Sequence, residues 1–408
     1  MKLLGEIKKT TVSPELELLL NGVVAPISTK HLDSCDINLL WSLASYHRIL
    51  PNLAFFVKKD EESSIIGREL ASFMNAHTLH IMTYLQTTAQ IFHMFDLAGI
   101  PVVMVKGPLL GMEIYGNPVY RQMSDLDLFV AESDLFSAVQ MFEREGYKCK
   151  GNFSNSRRKW EWMLALEHHV VMTKGSSKVE LHWKEYDGID KVWDIYYPRI
   201  SRKMMNTNLH TVDLDDQMIY LIYHASKHQY FRLKWLVDIA LLMKQEKIDW
   251  QKVQDAYSEK GLLSIFLECL IVVYKLWPDE VPAIGTNELL IQKSDSKQSW
   301  SFYLKKEDHE SFTENFVKAT NLSNNVISEI TKETLYDGEI LGLAEKESVL
   351  LNGKKQRYRS FWYKFHPQII DFEHFDFPDR LYFMCFLTRP VYRLNRFLER
   401  VKYRRNET

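Results

Sequence analysis

The chain has 408 residues, with 51 Lys and Arg against 53 Asp and Glu, for a formal charge of −2. Apolar residues make up 46% and charged residues 25%, which excludes a disordered chain, a collagen-like chain and a wholly basic nucleic-acid binder. The 22 Phe, 20 Tyr and 10 Trp supply the bulk for a large core, spread over about two to three domains.

The four cysteines, Cys35, Cys149, Cys269 and Cys385, are scattered without zinc-knuckle or CxxC spacing. They read as small core residues in a reducing compartment. Met1–Lys9 lacks the apolar h-region of a secretory signal. The longest apolar run, Leu262–Tyr274, is broken by Glu268 and falls short of the roughly 20 residues of a membrane span. A cytoplasmic protein is expected.

In chain order, Ser13-Pro14 opens a helix carrying Leu16, Leu19 and Leu20. Asp36–Ala44 reads as a second, ending before Pro51. A long helical pattern runs from Ser63 to Ala98 and stops at Gly99 and Pro101. Residues 1–100 are therefore expected to be mostly helical. Val102–Val105 is a short β-run that leads into Lys106-Gly107 and a helix-compatible stretch. In Ser124–Val130, Leu126, Leu128 and Val130 alternate with Asp125, Asp127 and Phe129, the period of a strand. Ser133 is placed to cap a helix through Leu135, Val139 and Phe142, ended by Gly146. His168–Thr173 and Lys178–Trp183, joined by a Gly- and Ser-bearing turn, predict a hairpin. From Asp216 the pattern is helical again, with stretches near 218–225, 233–247, 250 onward and 262–276.

Beyond Pro278 the signals weaken. Residues 284–325 are mixed, Lys354–Arg359 is basic and Phe361–Phe377 is rich in aromatics. Arg389–Thr408 carries seven Lys or Arg and two acids beside an apolar stripe of Leu394, Phe397, Leu398 and Val401. A basic amphipathic helix of this kind either docks on the protein by its stripe, the reading preferred, or touches an anionic membrane surface or nucleic acid. The expected fold class is α+β. It has a helical region over 1–100 and a small mixed-sheet α/β core over 101–200. A helical region over 201–280 packs on that core, and 281–408 is left without an assigned fold apart from its basic terminal helix.

The chemistry concentrates around Asp125-x-Asp127. Carboxylates at i and i+2 of a strand share a side, and like charges held together call for a cation between them. A divalent metal meets that need with one or two carboxylates and fills its shell with substrate phosphates. The spacing alone is equally compatible with an edge strand carrying a solvated acidic face. Upstream, Lys106-Gly107 before a helix is a phosphate-binding arrangement. Downstream, Glu180 and His182 share one strand face, so Glu180 can complete a two-metal site with the two aspartates.

Lys106-Gly107, Tyr115, Arg121 and Asp125–Val130, followed by His168-His169, Glu180–Trp183, His224–His228 and Leu233–Asp238, resemble an uncharacterised nucleotidyltransferase family of the polymerase-β-like superfamily. The likeness covers about residues 65–265. It implies a nucleotidyltransferase core that moves a nucleoside monophosphate from an NTP to an acceptor and releases pyrophosphate. It also implies Asp125, Asp127 and Glu180 as the catalytic residues, with Mg²⁺ or Mn²⁺ on the two aspartates and Glu180 as third ligand or base. Lys106, Gly107, Ser124, Arg121 and Lys234 are the implied nucleotide contacts, and the site is expected between the core and the helices after Asp216. The wider superfamily has a Gly-Gly or Gly-Ser turn where this chain has Lys106-Gly107-Pro108, so Lys106 stands in for the serine. Arg121 reads equally as a partner of Asp125, and Lys234 as an i,i+4 partner of Asp238. His224 and His228 share a helix face, but zinc there is a minor alternative.

The acceptor is open among sugar, metabolite, peptide and protein. Nucleic acid is not expected, because the chain is acidic outside its tail. The rival class is a non-catalytic nucleotide-binding or regulatory module on the same fold. Walker A, GxGxxG, GxSxG and kinase motifs are absent from the sequence.

Overall fold

The computed structural model describes residues 1–28, 35–57, 64–151, 153–184, 200–294, 299–305, 310–330, and 381, 384, 386 and 387. The basic stretch 354–359, the aromatic stretch 361–377 and the basic tail from 389 lie outside the described residues.

The first element is a strand, β1 (Lys2–Lys8), where a helical region was expected. It is followed by α1 (Pro14–Gly22), whose Ser13 hydroxyl accepts the Leu16 N–H at 3.4 Å, with Pro14 in the first turn. In α2 (Ile37–Tyr46), Asp36 caps by accepting from the N–H groups of Asn38 and Leu39. After α3 (Leu50–Phe56) comes the 34-residue α4 (Ile65–Ala98). Gly99 ends it at φ +65°, a left-handed conformation that glycine adopts without a Cβ penalty.

Next come β2 (Val102–Met104), α5 (Gly107–Tyr115), β3 (Leu126–Val130) and α6 (Glu132–Arg144). Ser133 does not cap α6. The cap position is Ala131, which makes no side-chain cap bond, and Glu132 and Asp134 supply negative charge to the first turn. The chain continues with β4 (Lys148–Cys149), α7 (Arg157–Leu166), β5 (His169–Lys174) and β6 (Ser177–His182). A basic hairpin, β7 (Ile200–Met204) and β8 (Thr207–Thr211), turns at Met205 and Asn206, both at positive φ. The helices α8 (Leu214–Lys227), α9 (Leu233–Met243), α10 (Trp250–Glu259) and α11 (Leu263–Leu276) follow. Asp213 caps α8 and Asp249 caps α10. Last among the described elements are β9 (Ile284–Gly285), β10 (Leu289–Lys293), β11 (Ser299–Leu304) and α12 (Glu310–Ile330).

The architecture is mixed α and β with three sheets. One has four strands in the order β1-β11-β10-β9, and β1, β11 and β10 pair antiparallel. A second has the order β2-β3-β6-β5-β4. It is a mixed sheet, because β3 and β6 run parallel while β6 and β5 form the antiparallel hairpin. The hairpin loop is Gly175-Ser176, with Gly175 at φ +59° and Lys174 paired to Ser177. The third sheet is the β7–β8 hairpin.

The described residues fall into two compact units. One takes 1–90, 103–124 and those from 200 to 330; the other takes 91–102, those from 125 to 184 and the four between 381 and 387. Within the second unit the sheet is sealed by Val170, Leu181, Leu128 and Phe129, with Leu135, Val139 and Phe142 of α6 also buried. Phe142 meets Phe95 and Tyr147 edge-to-face at 5.9 and 4.9 Å. Burying side chains of this size contributes about 1.5–3 kcal/mol each. Within the first unit, Trp277 is buried and its indole N–H donates to the Leu20 carbonyl at 2.8 Å.

Candidate active site

The parallel pairing of β3 and β6 decides which acidic side chains meet. Its register sets Asp127 opposite Glu180 and Phe129 opposite His182. On β6, Lys178, Glu180 and His182 share one face by the two-residue period. Asp127 and Asp125 reach the same face. The Asp127 carboxylate lies 3.3 Å from His182 Nε2, and the Asp125 carboxylate 3.7 Å from Lys178 Nζ. Glu180 sits between these cations, with Lys178 Nζ at 2.5 Å and His182 Nε2 at 3.5 Å. Asp125 precedes the strand and its side chain is 37% exposed, whereas that of Asp127 is 9% exposed. The two aspartates therefore occupy unlike surroundings. β3 lies between β2 and β6 and all five of its residues are buried, so a solvated edge strand is excluded.

The electrostatics follow from this packing. Burial pushes the Glu180 carboxyl up, and Asp127 adds to that push. The hydrogen bond from His182 and the fields of His169 and His182 outweigh both and hold it at about 2. Burial lowers the His182 imidazole, but its hydrogen bonds to Asp127 and Glu180 raise it above the usual histidine range. Lys178 is likewise raised, against its own desolvation, by Glu180 first and then by Asp125 and Asp127.

A divalent metal fits this donor set. One ligand atom each from Asp127, Glu180 and His182 lies within 4.8 Å of the others, two carboxylates and an imidazole converging on one point. His182 enters here as a ligand candidate. Its place on the Glu180 face is legible in the strand alternation, but its contact with Asp127 depends on the register between strands.

The remaining expected residues lie in the other unit, on a different framework. Lys106 precedes α5, and Gly107 opens it at φ +64°. A Cβ on Gly107 would stand 2.7 Å from Met104 Sδ, a flexible side chain that can yield, so it is the backbone angle that calls for glycine. Lys106 is 8% exposed; its ammonium lies 3.4 Å from His224 Nε2 and 5.2 Å from the centre of the Tyr220 ring. Ser124 accepts a hydrogen bond from Arg48 at 3.2 Å.

Arg121 is paired internally. Its Nε and Nη2 donate to the Asp238 carboxylate at 2.9–3.1 Å, and Nη1 donates to the Gly107 carbonyl at 3.4 Å. Both side chains are almost fully enclosed, at 3% and 0% exposure. Asp125 is thus not the partner of Arg121, and Asp238 is engaged by Arg121 instead of forming the expected pair with Lys234. Lys234 lies in the first turn of α9, where its backbone N–H donates to the His47 carbonyl. His47 also accepts the Leu233 N–H through Nδ1 at 3.2 Å. Burial, aided by the charge of Arg232, lowers its imidazole to about 4, which keeps that acceptor neutral. The rings of His224 and His228 pack together and on Trp235. Among the described residues they do not form a three-ligand group.

The model of the uncharacterised nucleotidyltransferase family matches residues 33–278, more than half of the chain. The chain belongs to that family. Two solved structures of the antibiotic-resistance factor ANT(2'')-Ia are similar to it. One is a solution structure, 12% identical, covering 44% of this chain and 91% of the other at a TM-score of 0.33. The second is a crystal structure with adenylyl-2''-tobramycin, 12% identical, covering 44% and 97% at a TM-score of 0.32. No curated protein matches the chain. For this member of the nucleotidyltransferase family, no helix among the described residues is long and apolar enough to cross a membrane.

Proposed function

We propose that the protein is a metal-dependent nucleotidyltransferase that moves a nucleoside monophosphate from an NTP to an acceptor and releases pyrophosphate. Its catalytic core is then the mixed sheet that carries Asp127 and Glu180. The observation that supports this most directly is the register that sets those two residues opposite each other with His182 beside them. Family membership agrees with it.

In this reading Asp127 and Glu180 hold the first Mg²⁺ or Mn²⁺, the His182 imidazole adding a nitrogen ligand to Mn²⁺ but not to Mg²⁺, and Asp125 provides a further carboxylate at the exposed rim. A bound divalent ion neutralises phosphate charge and lowers the pKa of a coordinated hydroxyl. Glu180, held at about 2, remains a carboxylate at any physiological pH. That suits a ligand; a general base works best with a pKa near the working pH. Lys178 balances the carboxylates through its contacts with Glu180 and Asp125. Lys106, the α5 amides and Ser124 bind phosphate, and Gly107 lets the backbone approach. Arg121 fixes the turn at Gly107 through its carbonyl instead of touching phosphate.

The test is incubation of the full chain with each α-labelled NTP and Mg²⁺ or Mn²⁺, scoring label on protein and on small molecules. Asp127→Asn is expected to abolish transfer while the melting temperature stays near that of the wild type. Activity close to wild type in Asp127→Asn would refute the site. Nucleotide binding without turnover in the wild type would favour the non-catalytic module.

A further inference from the structure

Beside the carboxylates lies a second convergence of ligand atoms, which shares only His182 with the proposed transfer site. His169 is in β5, directly opposite His182 in β6. His168 stands just before the strand, outside the alternation that would turn consecutive side chains to opposite faces. The three rings gather as a result. The centroids of His168 and His169 are 4.4 Å apart, those of His169 and His182 are 5.0 Å apart and nearly stacked, and those of His168 and His182 are 5.8 Å apart. His168 Nε2 and His169 Nδ1 approach to 3.1 Å. One nitrogen from each ring lies within 4.8 Å of the other two.

We propose that His168, His169 and His182 form an imidazole site for a Zn²⁺-class divalent ion, adjoining the carboxylate set and sharing His182 with it. Imidazole nitrogens suit zinc and its neighbours in the first transition row, whereas Mg²⁺ takes oxygen. Tetrahedral zinc with bonds of about 2.0–2.1 Å holds its ligand nitrogens about 3.4 Å apart. The hydrogen-bonded pair at 3.1 Å needs only to part by a few tenths of an ångström and give up its shared proton, and the third nitrogen needs a shift of the order of an ångström. Carboxylates flank two of the rings, the kind of neighbour that orients metal-bound histidines. His169 turns its Nε2 toward the Glu180 carboxylate at 3.9 Å, which leaves Nδ1 on the side of His168. His182 turns Nε2 toward Asp127. His168 and His169 are half-buried, so an ion can reach them. Because His182 belongs to both sets, occupancy of the imidazole site changes the affinity of the carboxylate set for its own ion, and the reverse holds by linkage.

The experiment uses the full chain in excess Mg²⁺, titrated with Zn²⁺ against a chromophoric chelator and, separately, with Co²⁺ followed by visible absorption. One equivalent of Zn²⁺ is expected to bind and to resist Mg²⁺. Co²⁺ is expected to give the intense bands of a four-coordinate, nitrogen-bound ion. His168→Gln and His169→Gln are each expected to weaken Zn²⁺ more than tenfold at unchanged melting temperature. Three results would overturn the proposal. These are no stoichiometric Zn²⁺ in excess Mg²⁺, a Co²⁺ spectrum of a six-coordinate oxygen-bound ion, or Zn²⁺ affinity untouched by both substitutions. The Co²⁺ spectrum needs no variant and so stands if one fails to fold. All three readouts are of binding, so they succeed or fail independently of nucleotide transfer.

Discussion

Removing either partner of the Arg121–Asp238 pair is expected to destabilise the protein far more than removing both. The two side chains are 3% and 0% exposed and joined by hydrogen bonds of 2.9–3.1 Å. Arg121→Met leaves the Asp238 carboxylate in the interior without a counter-charge, and Asp238→Leu strands the guanidinium. Either change costs about 3–5 kcal/mol, because the desolvation of the remaining ion is no longer offset. Replacing both with apolar residues of similar volume removes the two desolvation penalties together, so the double variant regains most of the loss. Arg121 also donates to the Gly107 carbonyl, so part of its share is not recovered. Urea unfolding of the wild type, the two single variants and the double variant gives the coupling energy. Single-variant costs below about 1 kcal/mol, or costs that merely add, would refute the internal role given to Arg121. A double variant as stable as the wild type but unable to transfer nucleotide would show that Arg121 serves the nucleotide site, through the Gly107 turn or on substrate directly.

Lys106→Ala removes a charged phosphate contact worth about 1.5–3 kcal/mol, so kcat/KM for the NTP is expected to fall about ten- to a hundredfold. An unchanged kcat/KM in steady-state assays would remove Lys106 from the nucleotide site. Burial raises the Glu268 carboxyl from 4.5 to about 8, against the weaker opposing field of Lys318. Native Glu268 then keeps its proton between pH 4.5 and 8 while the unfolded chain releases it. Stability is therefore highest below pH 4.5 and declines as pH rises toward 8, by about 3 kcal/mol at pH 7 if Glu268 alone is counted. Glu268→Gln is expected to flatten that decline and raise stability at pH 7. Identical slopes for variant and wild type, from urea midpoints at pH 5 and 7.5, would contradict this.

The parts of the fold legible in the sequence are those with local causes. Ser13, Asp36 and Asp249 announce helix starts because the capping oxygen and the amides it accepts from lie within three residues. Gly175 marks the β5–β6 loop because a two-residue turn calls for positive φ. The strands β1 and β9–β11 were not legible. β1 finds its partner almost 300 residues later, and only Ile7 of its seven residues is buried, so no apolar face shows. The basic hairpin β7–β8 was hidden in the same way by exposed Arg202 and Lys203. At the candidate site, the strand positions of Asp127 and Glu180 could be read, but the division of surroundings between Asp125 and Asp127 could not. The alternation of Asp125 and Asp127 implies equivalence, while the strand begins only after Asp125. The pairing of Arg121 with Asp238 was not legible, because Asp238 lies 117 positions away, and sequence spacing carries no information at that range.

The pairing of β1 with β11 sets an order of events during synthesis. Lys2–Lys8 is translated well before its hydrogen-bonding partner, Ser299–Leu304, which follows almost 300 residues later. Until then the segment is an unsatisfied strand, and closing a loop of that length costs about 5 kcal/mol of chain entropy beyond a fixed term. The pairing therefore forms after much of the intervening chain has folded and shortened the effective loop. In the meantime the nascent segment must avoid joining the strands of neighbouring chains. Lys2 and Lys8 at its ends are features that discourage such edge-to-edge pairing. A ribosome stalled before residue 299 would carry a chain whose first strand is still unpaired, a target for chaperones that bind extended segments.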